Sequence, residues 1–251
     1  MKKLIPFILF IACIGFAKAQ TPLANGAVIS LFNGKNLDGW HQVANDYGTD
    51  RTLFTVEKGA IRTYAKQAAN STQSFGALIT DQAYENYLLT LEYKWGEKKF
   101  QPRANDVRDA GILFHIFGKE EVWPGGVECQ IQQGDTGDLW LVKARATVKE
   151  ETTHHNYNAK GTLKTIGSQE TFNRFPRSFC WENYGWNKVQ VLVKGDFAQF
   201  YVNGILVNEA TDMKTYDETQ KAWVPLTKGK ILLQAEGSEV FYKNITLQNL
   251  D

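Results

Sequence analysis

Glu128, Gln130 and Gln132 alternate along one short stretch with Val127, Cys129 and Ile131. Successive side chains of a β-strand point to opposite faces, so the first three share a polar face and the others an apolar one. The apolar face is suited to packing on a second sheet. The polar face is either ordinary solvent-exposed sheet or the floor of a solvated groove. Alternate strand residues lie about 6.6 Å apart, and this face carries one carboxyl. A retaining glycosidase holds two carboxyls about 5–5.5 Å apart, so paired-acid chemistry here needs a second carboxylate from a loop. One general base among hydrogen-bonding amides is better suited to taking a proton beside a carbonyl.

A second stretch runs from Arg108 to His115. As a strand it places Asp109, Gly111, Leu113 and His115 on one face, and His115 is expected to face Glu128 across neighbouring strands. There it would serve as acid, oxyanion donor or metal ligand, against the simpler reading of a structural histidine. Arg108 either stabilises a developing oxyanion or pairs with Asp109. Gln130 and Gln132 are candidates for binding hydroxyls. Trp123 and Trp140 bracket the polar strand, as stacking platforms for a sugar ring or as core residues. Asp135 and Asp138 leave it in a turn, where they bind sugar hydroxyls or a metal, or only the local backbone. The pair His154-His155 lacks an evident third ligand. Trp40 and His41 read as structural.

The elements that must position these residues are strands. No long segment shows helical periodicity, whereas period-2 alternation recurs between Gly, Asn and Asp. Strands are predicted over residues 53–56, 60–64, 75–80, 87–95, 111–117, 127–132, 139–146, 188–194, 198–202, 205–209, 229–235 and 240–248. Asn203-Gly204 between two apolar runs is a strong hairpin signal. Residues 147–176 are polar and read as a long loop. The expected fold class is all-β, a sandwich of two antiparallel sheets, with residues 25–251 as one domain.

Composition fits an ordinary globular chain. The 251 residues are 43% hydrophobic, and 28 basic residues nearly balance 27 acidic ones. That balance gives no electrostatic signal for a nucleic-acid partner. Lys2 and Lys3, an apolar run over 4–16 and Ala17-Lys18-Ala19 have the order of a signal peptide spanning residues 1–19. The run is too short for a comfortable transmembrane span, so the mature protein is expected to be exported without one, to the periplasm or cell surface. A lipid anchor at Cys13 is the lesser alternative. Cys129 and Cys180 remain; an oxidising compartment permits their pairing, but a chain of this length does not need it, and free thiols are expected.

Four motifs, in order, resemble the 3-keto-disaccharide hydrolase family. They are Leu31-Phe32-Asn33-Gly34-Lys35-Asn36-Leu37-Asp38-Gly39-Trp40, Ala110-Gly111-Ile112-Leu113-Phe114-His115, Glu128-Cys129-Gln130-Ile131-Gln132, and the closing Leu233-Gln234-Ala235-Glu236-Gly237-Ser238-Glu239-Val240-Phe241-Tyr242-Lys243-Asn244-Ile245. Many members carry Asn-Ser before the central Gly and Arg where His115 stands; here Asp109-Ala110 and His115 occupy those places. The resemblance implies a concanavalin-A-like jelly roll. It also implies action on glycosides already oxidised at carbon 3, supplied by a separate glycoside 3-oxidoreductase. The ketone acidifies the hydrogen on carbon 2, a base removes it, the group on carbon 1 leaves, and water adds. On this reading Glu128 is the base. The residues identify no cofactor with certainty; a divalent metal could polarise the ketone. A lectin-like binding module and a conventional glycosidase are the competing readings.

Overall fold

The computed structural model describes residues 25–170 and 172–251. The expected signal peptide and Cys13 lie outside the described residues. In chain order the strands are β1 (Val28–Ser30), β2 (Trp40–Ala44), β3 (Phe54–Glu57), β4 (Ala60–Thr63), β5 (Gly76–Thr80) and β6 (Tyr87–Lys99). Next come β7 (Asp109–Phe117), β8 (Gly125–Gln132), β9 (Leu139–Val142), β10 (Ala144–Glu151), β11 (Asn156–Tyr157), β12 (Thr162–Gly167) and β13 (Phe172–Phe175). The last are β14 (Asn187–Lys194), β15 (Phe197–Val202), β16 (Ile205–Asp217), β17 (Ala222–Pro225), β18 (Lys230–Ala235) and β19 (Ser238–Asn249).

These strands form two antiparallel sheets, and no helix occurs among the described residues. The larger runs β11-β10-β16-β15-β14-β6-β19-β4-β3, with β1 on β19, β12 on β10 and β17 on β16. The smaller runs β13-β9-β8-β7-β18-β5-β2. Alternation sets what lies between them. Leu89, Leu91 and Tyr93 of β6, Val189 and Val191 of β14 and Phe200 of β15 face inward from the larger sheet. They meet Ala110, Ile112 and Phe114 of β7, Val127, Cys129 and Ile131 of β8, and Leu233 of β18. Each such fully buried large apolar side chain contributes roughly 1.5–3 kcal/mol. Any one-residue slip of β7 or β8 would lose that burial, so the register is well specified. The Cys129 thiol is buried in this core, Cys180 is exposed, and both are free.

The same alternation turns Glu128, Gln130 and Gln132 to the outer face of the smaller sheet. The register aligns Asp109 with Gln132, Gly111 with Gln130 and Leu113 with Glu128. Three expectations need correction. The predicted strand over 139–146 is two strands in different sheets, broken at Lys143, whose φ is 52°. The predicted loop over 147–176 contains most of β10 and all of β11, β12 and β13. The alternation of β7 does not extend to His115, where φ is 51° and the pairing with β8 shifts between Phe114 and Phe117. That bulge re-aims the side chain.

Candidate active site

A cavity of about 480 Å³ opens on the outer face of the smaller sheet. Six of the residues singled out in the sequence line it: Asp109, Trp123, Glu128, Gln130, Gln132 and Trp140. Arg103, Phe172, Gln234 and Glu236 complete the lining. β8 supplies the floor, with Trp140 of β9 directly opposite Glu128. On the other side Leu233 pairs with Ile112, which carries Gln234 next to Gly111. Gly111 has a steric reason to be glycine. A Cβ built there would overlap the side-chain oxygens of Glu128 and Gln234 and lie 2.9 Å from the Glu128 carboxyl carbon. The missing side chain makes the space into which Glu128 reaches.

Three carboxyls share this site with one cation. Arg103, from the loop between β6 and β7, donates from Nη1 to Asp109 Oδ2 and, at 2.7 Å, to Glu236 Oε2. Glu236 sits in the turn after β18, and its Oε1 accepts the indole N–H of Trp123. Glu128 is buried without a cation of its own. Burial pushes its carboxyl well above the usual range, and the charges of Glu236 and Asp109 push it further. Burial also raises Glu236, to about 7, with Asp109 adding to the shift and Arg103 opposing it. Asp109 is raised by burial as well, despite Arg103 and the hydrogen bond with Gln132. The physical cause is common: three carboxyls in one desolvated site cannot all ionise against a single guanidinium. Glu128, the one with no cation partner, is the group that keeps its proton longest.

The walls carry polar atoms with no protein partner. Gln130 Oε1, Gln234 Oε1, Asp109 Oδ1 and the indole nitrogen of Trp140 are all buried and unbonded. Buried polar groups are normally satisfied, and here several that are not converge on one cleft.

Three residues expected at the site lie elsewhere. His115 is fully buried among aromatic rings, with Tyr87 and Phe114 at 6.3 and 5.5 Å between centroids. Its Nε2 lies 3.2 Å from the Gly195 carbonyl in the β14–β15 turn of the opposite sheet. Burial lowers its pKa to about 4, so it is neutral at ordinary pH, and it does not face Glu128. Arg108 donates to the Gly96 carbonyl and to Gln133; the partner of Asp109 is Arg103. Asp138 is fully buried, holding Arg174 and Arg177. It ties β13 and the segment after it to the turn leaving β8.

Arg103, Gln234 and Glu236 were missed. Glu236 and Gln234 lie within the closing motif, where the sequence singles out no site residue; Arg103 lies in a loop that no periodicity marks. Among the described residues no set of three His, Cys, Asp or Glu side chains is arranged to hold a metal ion. His154 and His155 pair instead with Glu151 and Glu150 at the surface. The positive charge in the cleft is supplied by Arg103.

Residues 27–248 match a family described as a 3-keto-alpha-glucoside-1,2-lyase-like domain. The chain belongs to this family. It is similar in structure to a candidate glycosyl hydrolase from Parabacteroides distasonis ATCC 8503, with TM-score 0.54 and 19% identity over 89% of this chain and 94% of that one. A second such protein from the same organism gives 0.53 at 16% identity, over 89% and 100%. A laminarinase from Flavobacterium sp. UMI-01 gives 0.51 at 15% identity, over 90% and 100%. At these identities the likeness shows the fold, a concanavalin-like jelly roll. No curated protein matches the chain.

Proposed function

We propose that this protein cleaves 3-keto-glycosides, with Glu128 as the proton carrier. The observation that carries the reading is the position of that carboxyl: buried, free of any cation partner, and set in a cleft beside Arg103 and the unbonded amides and indole. A carboxylate that must lose its proton without a compensating charge is a strong base once ionised. It takes the hydrogen from carbon 2. Negative charge then develops on the carbon-3 oxygen, which needs a fixed donor, and Arg103, held between Asp109 and Glu236, provides it. The bond from carbon 1 to its substituent breaks, and Glu128 returns the proton to the departing oxygen. Water then adds across the resulting double bond. Gln130, Gln132 and Gln234 bind hydroxyls, and Trp123 and Trp140 present ring faces to the sugar.

In this account Arg103 takes the part that the sequence suggested for His115 or Arg108. A conventional paired-acid glycosidase fits less well, because Asp109 and Glu236 both bond to Arg103 and are already engaged. The reading includes export, on the strength of residues 1–19, and a separate glycoside 3-oxidoreductase that supplies the ketone.

The test is turnover of a 3-keto-glucoside and its unoxidised parent by wild type and Glu128→Gln. The expectation is release from the keto compound alone, reduced by roughly 10²–10⁴-fold in the variant. Binding with no turnover of either compound would indicate a lectin-like module instead.

A further inference from the structure

Both ion pairs of Arg103 leave from one atom: Nη1 donates to Asp109 Oδ2 and to Glu236 Oε2. Among the described residues Nε and Nη2 make no bond of their own, so their donors remain for the cleft that Arg103 lines. Contacts at a single nitrogen fix where that nitrogen sits. They leave the guanidinium plane free to turn about the line from Nη1 to the side-chain stem, a motion that swings Nη2 away.

The face of that plane meets Phe75, the residue before β5. Arg103 Cζ lies over the ring, 5.4 Å from its centroid, within the range of about 6 Å over which a guanidinium is attracted to an aromatic face. The ring is itself held. It is buried, packs edge-on against Trp123 with centroids 5.5 Å apart, and meets Tyr47 at 5.7 Å. Its backbone is tied to Asn45: the Phe75 N–H donates to Asn45 Oδ1 at 3.0 Å, and the Phe75 carbonyl accepts from the Asn45 N–H at 3.1 Å. A Cβ on Gly237 would lie 3.2 Å from Arg103 Cβ and 3.5 Å from the Phe75 ring, so glycine leaves the room in which the two side chains meet. Phe75 is not part of the cleft wall and is not placed to touch a substrate.

We infer that Phe75 is a positioning residue: its ring fixes the plane of the Arg103 guanidinium, so that Nε and Nη2 are presented to the oxygen on carbon 3. The inference rests on the proposed part of Arg103 in cleavage. Preorganised donors matter most where charge develops, in the transition state, so losing the ring face acts on kcat rather than on KM.

The experiment is kinetics on a 3-keto-glucoside with Phe75→Leu and Phe75→Tyr, alone and in an Arg103→Lys background. Leucine keeps apolar bulk without a ring face, and tyrosine keeps the face; Phe75→Met replaces the leucine variant should that fold poorly. Phe75→Leu should lower kcat by roughly tenfold or more with KM within about twofold, and Phe75→Tyr should stay near wild type. Once Arg103 is lysine, Phe75→Leu should cost nothing further, because an ammonium has no plane to hold. Wild-type kcat in Phe75→Leu, or the same loss in both backgrounds, overturns the inference. Wild-type kcat in Arg103→Lys refutes the part given to Arg103 in cleavage. NMR of the Arg103 side chain then decides the positioning separately, with its signals assigned by their loss in Arg103→Lys. Separate Nη signals in the wild type and in Phe75→Tyr that merge in Phe75→Leu sustain it, and signals unchanged in Phe75→Leu overturn it.

Discussion

Gly111→Ala offers a sharp perturbation of the cleft. Gly111 is an interior strand residue whose φ is not in the left-handed region, so alanine is compatible with its backbone. Alanine there even restricts the unfolded chain, an effect of about 0.4–1 kcal/mol in favour of folding. The new methyl, however, would overlap the outer oxygens of Glu128 and Gln234 and sit 2.9 Å from the Glu128 carboxyl carbon. Both obstacles are the far ends of flexible side chains, so the fold can accommodate the methyl by moving them. Restoring van der Waals contact displaces the Glu128 carboxyl by on the order of 1 Å, a misplacement that costs roughly 10²-fold in rate, or about 2.7 kcal/mol of barrier. The assay is kcat/KM on a 3-keto-glucoside beside a thermal melt. The expected result is a roughly hundredfold loss with a melting temperature within a few degrees of wild type. A variant of wild-type activity would refute the claim that Glu128 acts from the space over Gly111.

Further outcomes follow from the charges. Glu128 and Glu236 have pKa values raised by folding, so the folded state binds more protons than the unfolded one. Their contribution to stability is full below about 4.5 and is lost as pH rises through about 7 and above; melts of wild type against Glu236→Gln should show a shallower decline in the variant. Because the Glu236 charge helps raise Glu128, Glu236→Gln should also move the acid limb of the kcat/KM profile to lower pH, and an unmoved limb would contradict the coupling. His115 has the opposite sign. Its lowered pKa stabilises the protein above about 6.5 and the effect disappears as pH falls through about 4; His115→Gln should change melting behaviour far more than kcat. Arg103→Met leaves Asp109 and Glu236 without their cation and should lower kcat/KM by roughly 10²-fold or more, with the stability loss smaller at pH 5 than at pH 8 in parallel melts.

Much of the scaffold was legible because period-2 alternation is a local signal. β8 was read with its faces assigned, since Val127, Cys129 and Ile131 differ so clearly from the residues between them. The Asn203-Gly204 turn carries positive φ at both positions, as the dipeptide implies. Other elements carried weaker signals. β10 buries Ala144, Ala146 and Val148 in strict alternation, but past Ala146 a single valine among Thr, Lys and Glu looks like a polar loop. β12 is mostly exposed along its length, so composition does not distinguish it from coil. His115 was misplaced because a bulge breaks the parity that the reading of faces relied on. Arg103 and Glu236 reach the cleft from a loop and a turn, where no period indicates what a side chain faces, and only the packing of the sheets brings them near Glu128.

The measurement closest to the central claim is the fate of the carbon-2 hydrogen. Turnover of a 3-keto-glucoside in deuterated water, followed by mass spectrometry or NMR of the released sugar, reads it directly. Proton abstraction by Glu128, elimination and rehydration predict deuterium at carbon 2, with no release from the unoxidised parent. Release that leaves carbon 2 unlabelled, or equal release from the parent glycoside, would contradict the account.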